Sequence, residues 1–265
     1  MSVIPKPKKS LGQHWLNDHA TLNEICDLAE LNNEDIVLEI GPGYGTLTKI
    51  LIQKANKVVA IELDSNLALQ LKTFVDADNL TVVNESILKF DLTKLPVEYK
   101  VVANIPYYLT SNLLRLLSES SNPPSVIVLL IQKEVAERVG AKAGDMSLLS
   151  VTTQYFWEVN LSSIVKAKLF TPPPKVDSQI ILLKRRRNEM FPNTDNKKFF
   201  RLVRIGFSSR RKTILNSMSN GLRIDKGIVG EILIESKIDP GLRPQMLSLD
   251  KWHDLYEVSI NKGII

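Results

Sequence analysis

Within the 265-residue chain, Asn104-Ile105-Pro106-Tyr107 brings together an amide side chain, a carbonyl stiffened by the proline that follows it, and an aromatic ring. That set suits attack by an exocyclic adenine amine on an electrophilic methyl group. The amine's lone pair is delocalised into the ring, so attack requires the nitrogen to become tetrahedral. Two acceptors aimed at its hydrogens favour the change and stabilise the positive charge that grows there. Asn104 offers its side-chain oxygen, and Ile105 a backbone carbonyl held extended by Pro106. Tyr107 offers a ring face on which a base can stack, worth about 1–3 kcal/mol. Such chemistry calls for no general base, nucleophile or metal, and the chain shows no spacing of Ser, His and Asp that would supply a nucleophile. The bland alternative is an Asn-x-Pro turn with a core tyrosine.

A second group reads as a cofactor site. Glu39-Ile-Gly41-Pro-Gly43-Tyr-Gly45 closes one apolar run and precedes a helical segment. Glycines there permit positive φ and close approach of backbone to a ligand, and the helix start offers free N–H groups. Glu62 ends the next run, in Ala60-Ile-Glu62-Leu-Asp64, where its carboxylate can accept both hydroxyl hydrogens of a ribose. Both signals favour a cofactor with an adenosine half and leave NAD and S-adenosylmethionine open. Phe170, in Phe170-Thr-Pro-Pro-Pro-Lys175-Val-Asp-Ser178, is a candidate for the opposite face of the target base, held by a proline-stiffened loop. Its alternative is a core residue in a rigid connection.

The elements that must position these residues follow from periodicity. Runs of strand character occur at 36–40, 57–61, 80–83, 100–103 and 125–131, with helical periods at 46–55, 65–75 and 111–118 between them. Strands apolar on both faces, alternating with helices, predict a mostly parallel sheet covered by helices. Runs at 158–165 and 179–183 add two late strands. The tail changes texture: 196–207, 212–218, 227–236 and 248–260 read as amphipathic helices. The expected domains are a catalytic domain with its leader over 1–187 and a small helical domain over 188–265.

Charge follows the same division. Residues 1–179 carry 17 Lys and Arg against 20 Asp and Glu, whereas 180–265 carry 17 against 9. The densest basic stretch runs from Lys184 to Lys212, and a polyanion is its natural partner; the alternative is a solvated helix face. Composition, with 44% hydrophobic and 24% charged residues, is that of a soluble globular protein. No run approaches the ~18 apolar residues of a membrane span, and the first ten residues lack a secretory apolar stretch, so a cytoplasmic protein is expected. The lone Cys26 and three histidines argue against disulfides and against a metal site.

Taken in order, Ser10-Leu-Gly-Gln13-His-Trp-Leu16, Glu39 to Gly43, Ile61 to Asp64, Asn104 to Tyr107, Leu130 to Glu134, Phe170 to Ser178 and Arg210-Arg-Lys-Thr213 resemble the ribosomal RNA adenine dimethyltransferases over nearly the whole chain. The resemblance is greatest to the members that dimethylate two adjacent adenosines near the 3′ end of small-subunit rRNA. It implies a class I methyltransferase fold (Rossmann-like α/β), S-adenosylmethionine as methyl donor, no metal, and a helical domain that grips RNA through Arg210, Arg211 and Lys212. It further implies that His14, Leu16, Gly41, Gly43 and Glu62 contact the cofactor, Glu85 its adenine end, and Asn104 both its methionine part and the target amine. Glu85 stands where Asp is common in the family and His14 where Asn is usual. The implied partner is small-subunit rRNA or its precursor particle, met by a monomer. Other readings are a large-subunit rRNA methyltransferase of the macrolide-resistance type, a non-catalytic assembly factor that has kept the fold, and, last, a dinucleotide oxidoreductase.

Overall fold

The computed structural model describes residues 7–8, 11–209 and 211–265. They form two compact units, one ending at Glu137 and taking in Trp157–Arg185, the other made of Arg138–Phe156 and Arg186–Ile265. The second unit thus contains, besides the expected tail, a segment from within the expected catalytic stretch, and the late division falls after Arg185.

The first unit is built on nine strands: β1 (Trp15–Leu16), β2 (Ile36–Ile40), β3 (Lys57–Glu62), β4 (Leu80–Asn84), β5 (Lys100–Asn104), β6 (Val126–Gln132), β7 (Trp157–Val165), β8 (Phe170–Thr171) and β9 (Ser178–Arg185). Seven of them make one sheet in the order β4-β3-β2-β5-β6-β9-β7. The first five run parallel, and β9 lies antiparallel between β6 and β7. The reversal on either side of β2 opens a crevice at the strand ends, where sheets of this kind take their ligands. Helices α1 (His19–Leu28), α2 (Thr48–Lys54), α3 (Ser65–Phe74) and α4 (Thr110–Glu119) cover the sheet. Asp18 and Asp64 start α1 and α3 by accepting from the N–H groups of Thr21 and Asn66. Coverage on both faces explains the unbroken apolar runs: Val58, Ala60, Val101 to Ala103 and Ile127 to Ile131 are all at 0% exposure. The two-residue strands β1 and β8 pair separately, Trp15 with Thr171 and Leu16 with Phe170.

After α5 (Lys133–Val139), helix α6 (Leu148–Phe156) joins α7 (Asn196–Gly206), α8 (Ile214–Leu222), α9 (Lys226–Glu235) and α10 (Leu249–Asn261). Tyr155 from α6 shares a buried cluster with Phe199, Phe200, Trp252 and Tyr256. Close helix approach here rests on missing side chains: a Cβ on Gly206 would fall 2.3 Å from the Trp252 ring, and one on Gly221 2.5 Å from Ile205. Helix α8 begins two residues later than its periodicity predicts because Thr213 caps it, accepting from the Asn216 N–H.

Candidate active site

The crevice at the ends of the parallel strands holds a cavity bordered by the leader (Leu11 to Leu16), the end of β2 with its glycine turn, the end of β3, the loop Glu85 to Leu88, and Asn104 to Leu109 after β5. Five chain segments far apart in sequence therefore meet at one place. The sheet topology is what brings them together.

The glycine turn is held from behind. Gly41 N–H donates to Ile61 O of the neighbouring strand at 2.9 Å, and Gly43 N–H to Glu62 Oε2 at 3.2 Å. The other carboxylate oxygen of Glu62 accepts the Asp64 N–H at 2.8 Å. Glu62 is thus fixed at the tip of β3, and burial raises its pKa above the ordinary carboxylate value, opposed by the N–H groups of Asp64, Gly43 and Leu63. Gly43 and Gly45 both adopt positive φ in tight surroundings: a Cβ on Gly43 would press on Trp15 Nε1 at 3.0 Å, and one on Gly45 would lie 2.5 Å from Val75.

The leader is tied down at both ends of its contact. Lys8 Nζ pairs with Asp64 at 2.9 Å, and His14 Nδ1 lies 2.8 Å from the Pro172 carbonyl. The carbonyl of His14 accepts from Asn104 Nδ2 at 3.3 Å, and its ring stacks on Tyr107 with centroids 5.9 Å apart. His14 thereby joins three parts of the expected site. Leu16 borders the cavity with a fully buried side chain. Glu85 borders it as well, in the loop after β4, while neighbouring Asn84 reaches back to the Glu62 carbonyl at 2.8 Å.

With its amide nitrogen on His14, Asn104 has Oδ1 without a protein donor among the described residues, and the same holds for the Ile105 carbonyl. The two acceptors required for the amine are therefore both unspent. Tyr107 is half-buried, and its hydroxyl shares a 2.8 Å hydrogen bond with Ser178 Oγ, which fixes the ring plane.

Phe170 lies away from the cavity surface. It is 3% exposed, sits in the core cluster with Leu16 and Leu22, and does not border the cavity. It pairs with Leu16 in the β1–β8 ladder, at the start of the proline loop. That loop contributes to the site through Pro172 and Ser178, which hold His14 and Tyr107. Of the basic cluster, Arg211 and Lys212 are exposed in the turn between α7 and α8, and Arg210 lies outside the described residues.

Two buried groups in the cavity wall have no partner: the acceptor Glu39 Oε2 and the donor Trp15 Nε1. Unpaired buried polar groups are costly, so such a pair at a cavity marks places for ligand atoms. Burial pushes the Glu39 carboxyl up to about 8, helped by the charge of Glu62. An acceptor and a donor suit the ammonium and carboxylate of an amino acid, and Glu62 and Glu85 suit a ribose and an adenine amine. The wall therefore fits S-adenosylmethionine, half nucleoside and half zwitterion. Trp15 carries no sequence signal of its own, and for Glu39 the signal is a carboxylate inside an apolar strand. Among the described residues, no cluster of His, Cys, Asp and Glu could hold a metal ion.

Comparison with known proteins agrees with this geometry. A profile of the family described as ribosomal RNA adenine dimethylase matches residues 4–260. The chain is 39% identical over 254 residues to ribosomal RNA small subunit methyltransferase A of Dehalococcoides mccartyi, covering 94% of this chain and 87% of that protein. It is 41% identical over 261 residues to the protein of the same name from Bacillus mycoides, covering 94% and 89%. Among solved structures it resembles a dimethyladenosine transferase from Plasmodium falciparum (TM-score 0.82, 29% identity, 94% and 98% covered). It also resembles the 23S rRNA methyltransferase ErmE (TM-score 0.74, 28% identity, 92% and 98% covered).

Proposed function

The chain belongs to the ribosomal RNA adenine dimethylase family, and we propose that it dimethylates the N6 amines of two adjacent adenosines near the 3′ end of small-subunit (16S) rRNA. S-adenosylmethionine, when bound, supplies the methyl group on a sulfonium that leaves as a neutral thioether. The chain's own residues hold and orient. Glu62 receives the ribose hydroxyls, Glu85 the adenine amine, and Glu39 with Trp15 the amino-acid end; Gly41, Gly43 and the leader from His14 to Leu16 close around them. Asn104 Oδ1 and the Ile105 carbonyl draw the two hydrogens of the target amine out of the ring plane, and after transfer the nitrogen gives its surplus proton to water. The free face of Tyr107 carries the flipped base, whose removal from its stack costs a few kcal/mol that this contact offsets.

The observation that carries the reading is the pair of unspent acceptors at the end of β5, beside a cavity wall built for an adenosine and a zwitterion. Replacing Asn104 by Ala should abolish methyl transfer while the affinity for S-adenosylmethionine stays within a few-fold; normal turnover would remove the proposed role. Incubation of the protein and labelled donor with unmethylated subunits tests the substrate. Dimethyladenosine from the small subunit alone is expected, and label confined to the large subunit would select the macrolide-resistance type. Work on rRNA fits a cytoplasmic monomer that acts during ribosome assembly, gripping RNA with its helical unit through Arg210, Arg211 and Lys212. No helix among the described residues is long and apolar enough to cross a membrane.

A further inference from the structure

Three large apolar side chains on the rim of the cavity face solvent: Leu63 at 49% exposure, Leu88 at 45% and Tyr108 at 60%. Each stands just beyond the end of a different parallel strand. Leu63 follows Glu62 after β3 and Leu88 follows Glu85 after β4, so both flank the end of the cavity assigned to the cofactor's nucleoside. Tyr108 differs. It follows Asn104 to Tyr107 after β5, the end at which the target amine must arrive, and the chemistry drawn so far makes no use of it.

Its ring is held without being covered. The place a Cβ would take on Gly12 lies 3.6 Å from both Cδ1 and Cε1 of Tyr108, so the bare backbone of the leader supports the ring from one side. Gly12 adopts positive φ there, and Leu109, the next residue, is buried and anchors the turn. Tyr107, by contrast, has its hydroxyl bound to Ser178 and one face against His14, which leaves it a single face, for the target base.

Withdrawing an adenosine from its stack exposes a face of the next base along the strand as well as the target itself. Tyr107 can compensate only the target. Resting on the proposed methyl transfer to RNA, we propose that Tyr108 is a second stacking platform, which receives the base adjacent to the flipped adenosine and so positions the strand at the cavity mouth. The role is one of positioning: Tyr108 touches the substrate strand and no reacting atom.

Stacking on an aromatic side chain is non-polar in origin and tolerant of sequence, so Phe should replace Tyr at this position and Ala should not. With unmethylated small ribosomal subunits as substrate, Tyr108→Ala should raise KM by about 5- to 150-fold, the range a lost base–aromatic stack corresponds to, with kcat within about twofold of the unmodified enzyme. Tyr108→Phe should restore KM. A short RNA carrying 2-aminopurine beside a single adenosine gives a direct readout: its fluorescence should be quenched on binding the unmodified protein and Tyr108→Phe, and remain bright with Tyr108→Ala. Unchanged KM and unchanged quenching in Tyr108→Ala overturn the assignment, as does a fall in kcat at constant KM, which would place the residue with the chemistry. If the unmodified protein methylates no small subunits, the underlying reading fails instead, and the quenching experiment still decides the stacking.

Discussion

Replacing Glu39 by Gln keeps the shape of a buried side chain and removes its ability to ionise, which makes the energetic consequence calculable. The Glu39 carboxyl is 1% exposed, one of its oxygens has no partner, and burial raises its pKa from 4.5 to about 8. Between those two values the folded protein keeps a proton that the unfolded chain has lost. The folded state therefore binds more protons there, and stability falls as pH rises through the window; below about 4.5 the cost is absent, and above about 8 it is complete. Moving a carboxyl this far is worth roughly 1 kcal/mol at pH 5, 3 at pH 7 and 5 at pH 9. Because Gln does not titrate, the stability of Glu39→Gln relative to its parent should rise by about those amounts over its value below pH 4, read from urea unfolding across the pH range. A second measurement tests the link to the ligand. If an ammonium group docks against Glu39, binding drives the carboxyl to its charged form, and at pH 7 most of one proton leaves per donor bound, since a group with a pKa near 8 is mainly protonated there. Calorimetric titration in buffers of different ionisation enthalpy reads that number directly, and Glu39→Gln should bring it close to zero while weakening binding. Parallel stability curves for the two proteins across pH 5–9, together with no proton release on binding, would show that Glu39 neither stays protonated in the fold nor meets the donor's ammonium.

Substitution of Arg211 and Lys212 by Gln should weaken RNA binding and flatten its dependence on salt by roughly 1.4–1.8 in the log–log slope, the release expected for two phosphate contacts; an unchanged slope would leave both as solvated charges. Gly45→Ala should destabilise the protein by about 2–4 kcal/mol in urea unfolding, because a Cβ there would lie 2.5 Å from Val75 and 2.9 Å from Leu71 at a φ of +87°. Wild-type stability in that variant would mean that the turn has more freedom than the contacts allow.

The catalytic sheet was legible because its strands are apolar on both faces and separated by helical periods, which is why β2 falls on 36–40 as read and the others within a residue or two. Likewise, glycine turn, strand-tip acid and Asn104 motif were found in sequence and meet at one cavity. What escaped depends on distant partners. Strands β1 and β8 are two residues each and have no period to detect; only their pairing across the chain defines them, and that pairing decides that Phe170 is core. Helix α6, with Val151, Thr152 and Thr153 in succession, has β-branched residues that weaken any helical signal, and packing of Val151 and Tyr155 into the helical unit overrides that preference. Tyr108 was hidden by its neighbour: nothing in a Tyr-Tyr pair says which ring will be pinned and which left open.

The β1–β8 ladder also sets a timetable. Trp15 and Leu16 are made well before their partners Thr171 and Phe170, which follow some 155 positions later. Contacts of such separation form late, after shorter loops have closed. The wall of the cavity that the leader provides, with Trp15 facing the glycine turn and His14 on the Pro172 carbonyl, is consequently completed only after the segment through Pro172 has been made. A nascent chain can assemble its parallel strands well before it can enclose a nucleoside, so ligand binding reports that synthesis has passed the proline loop.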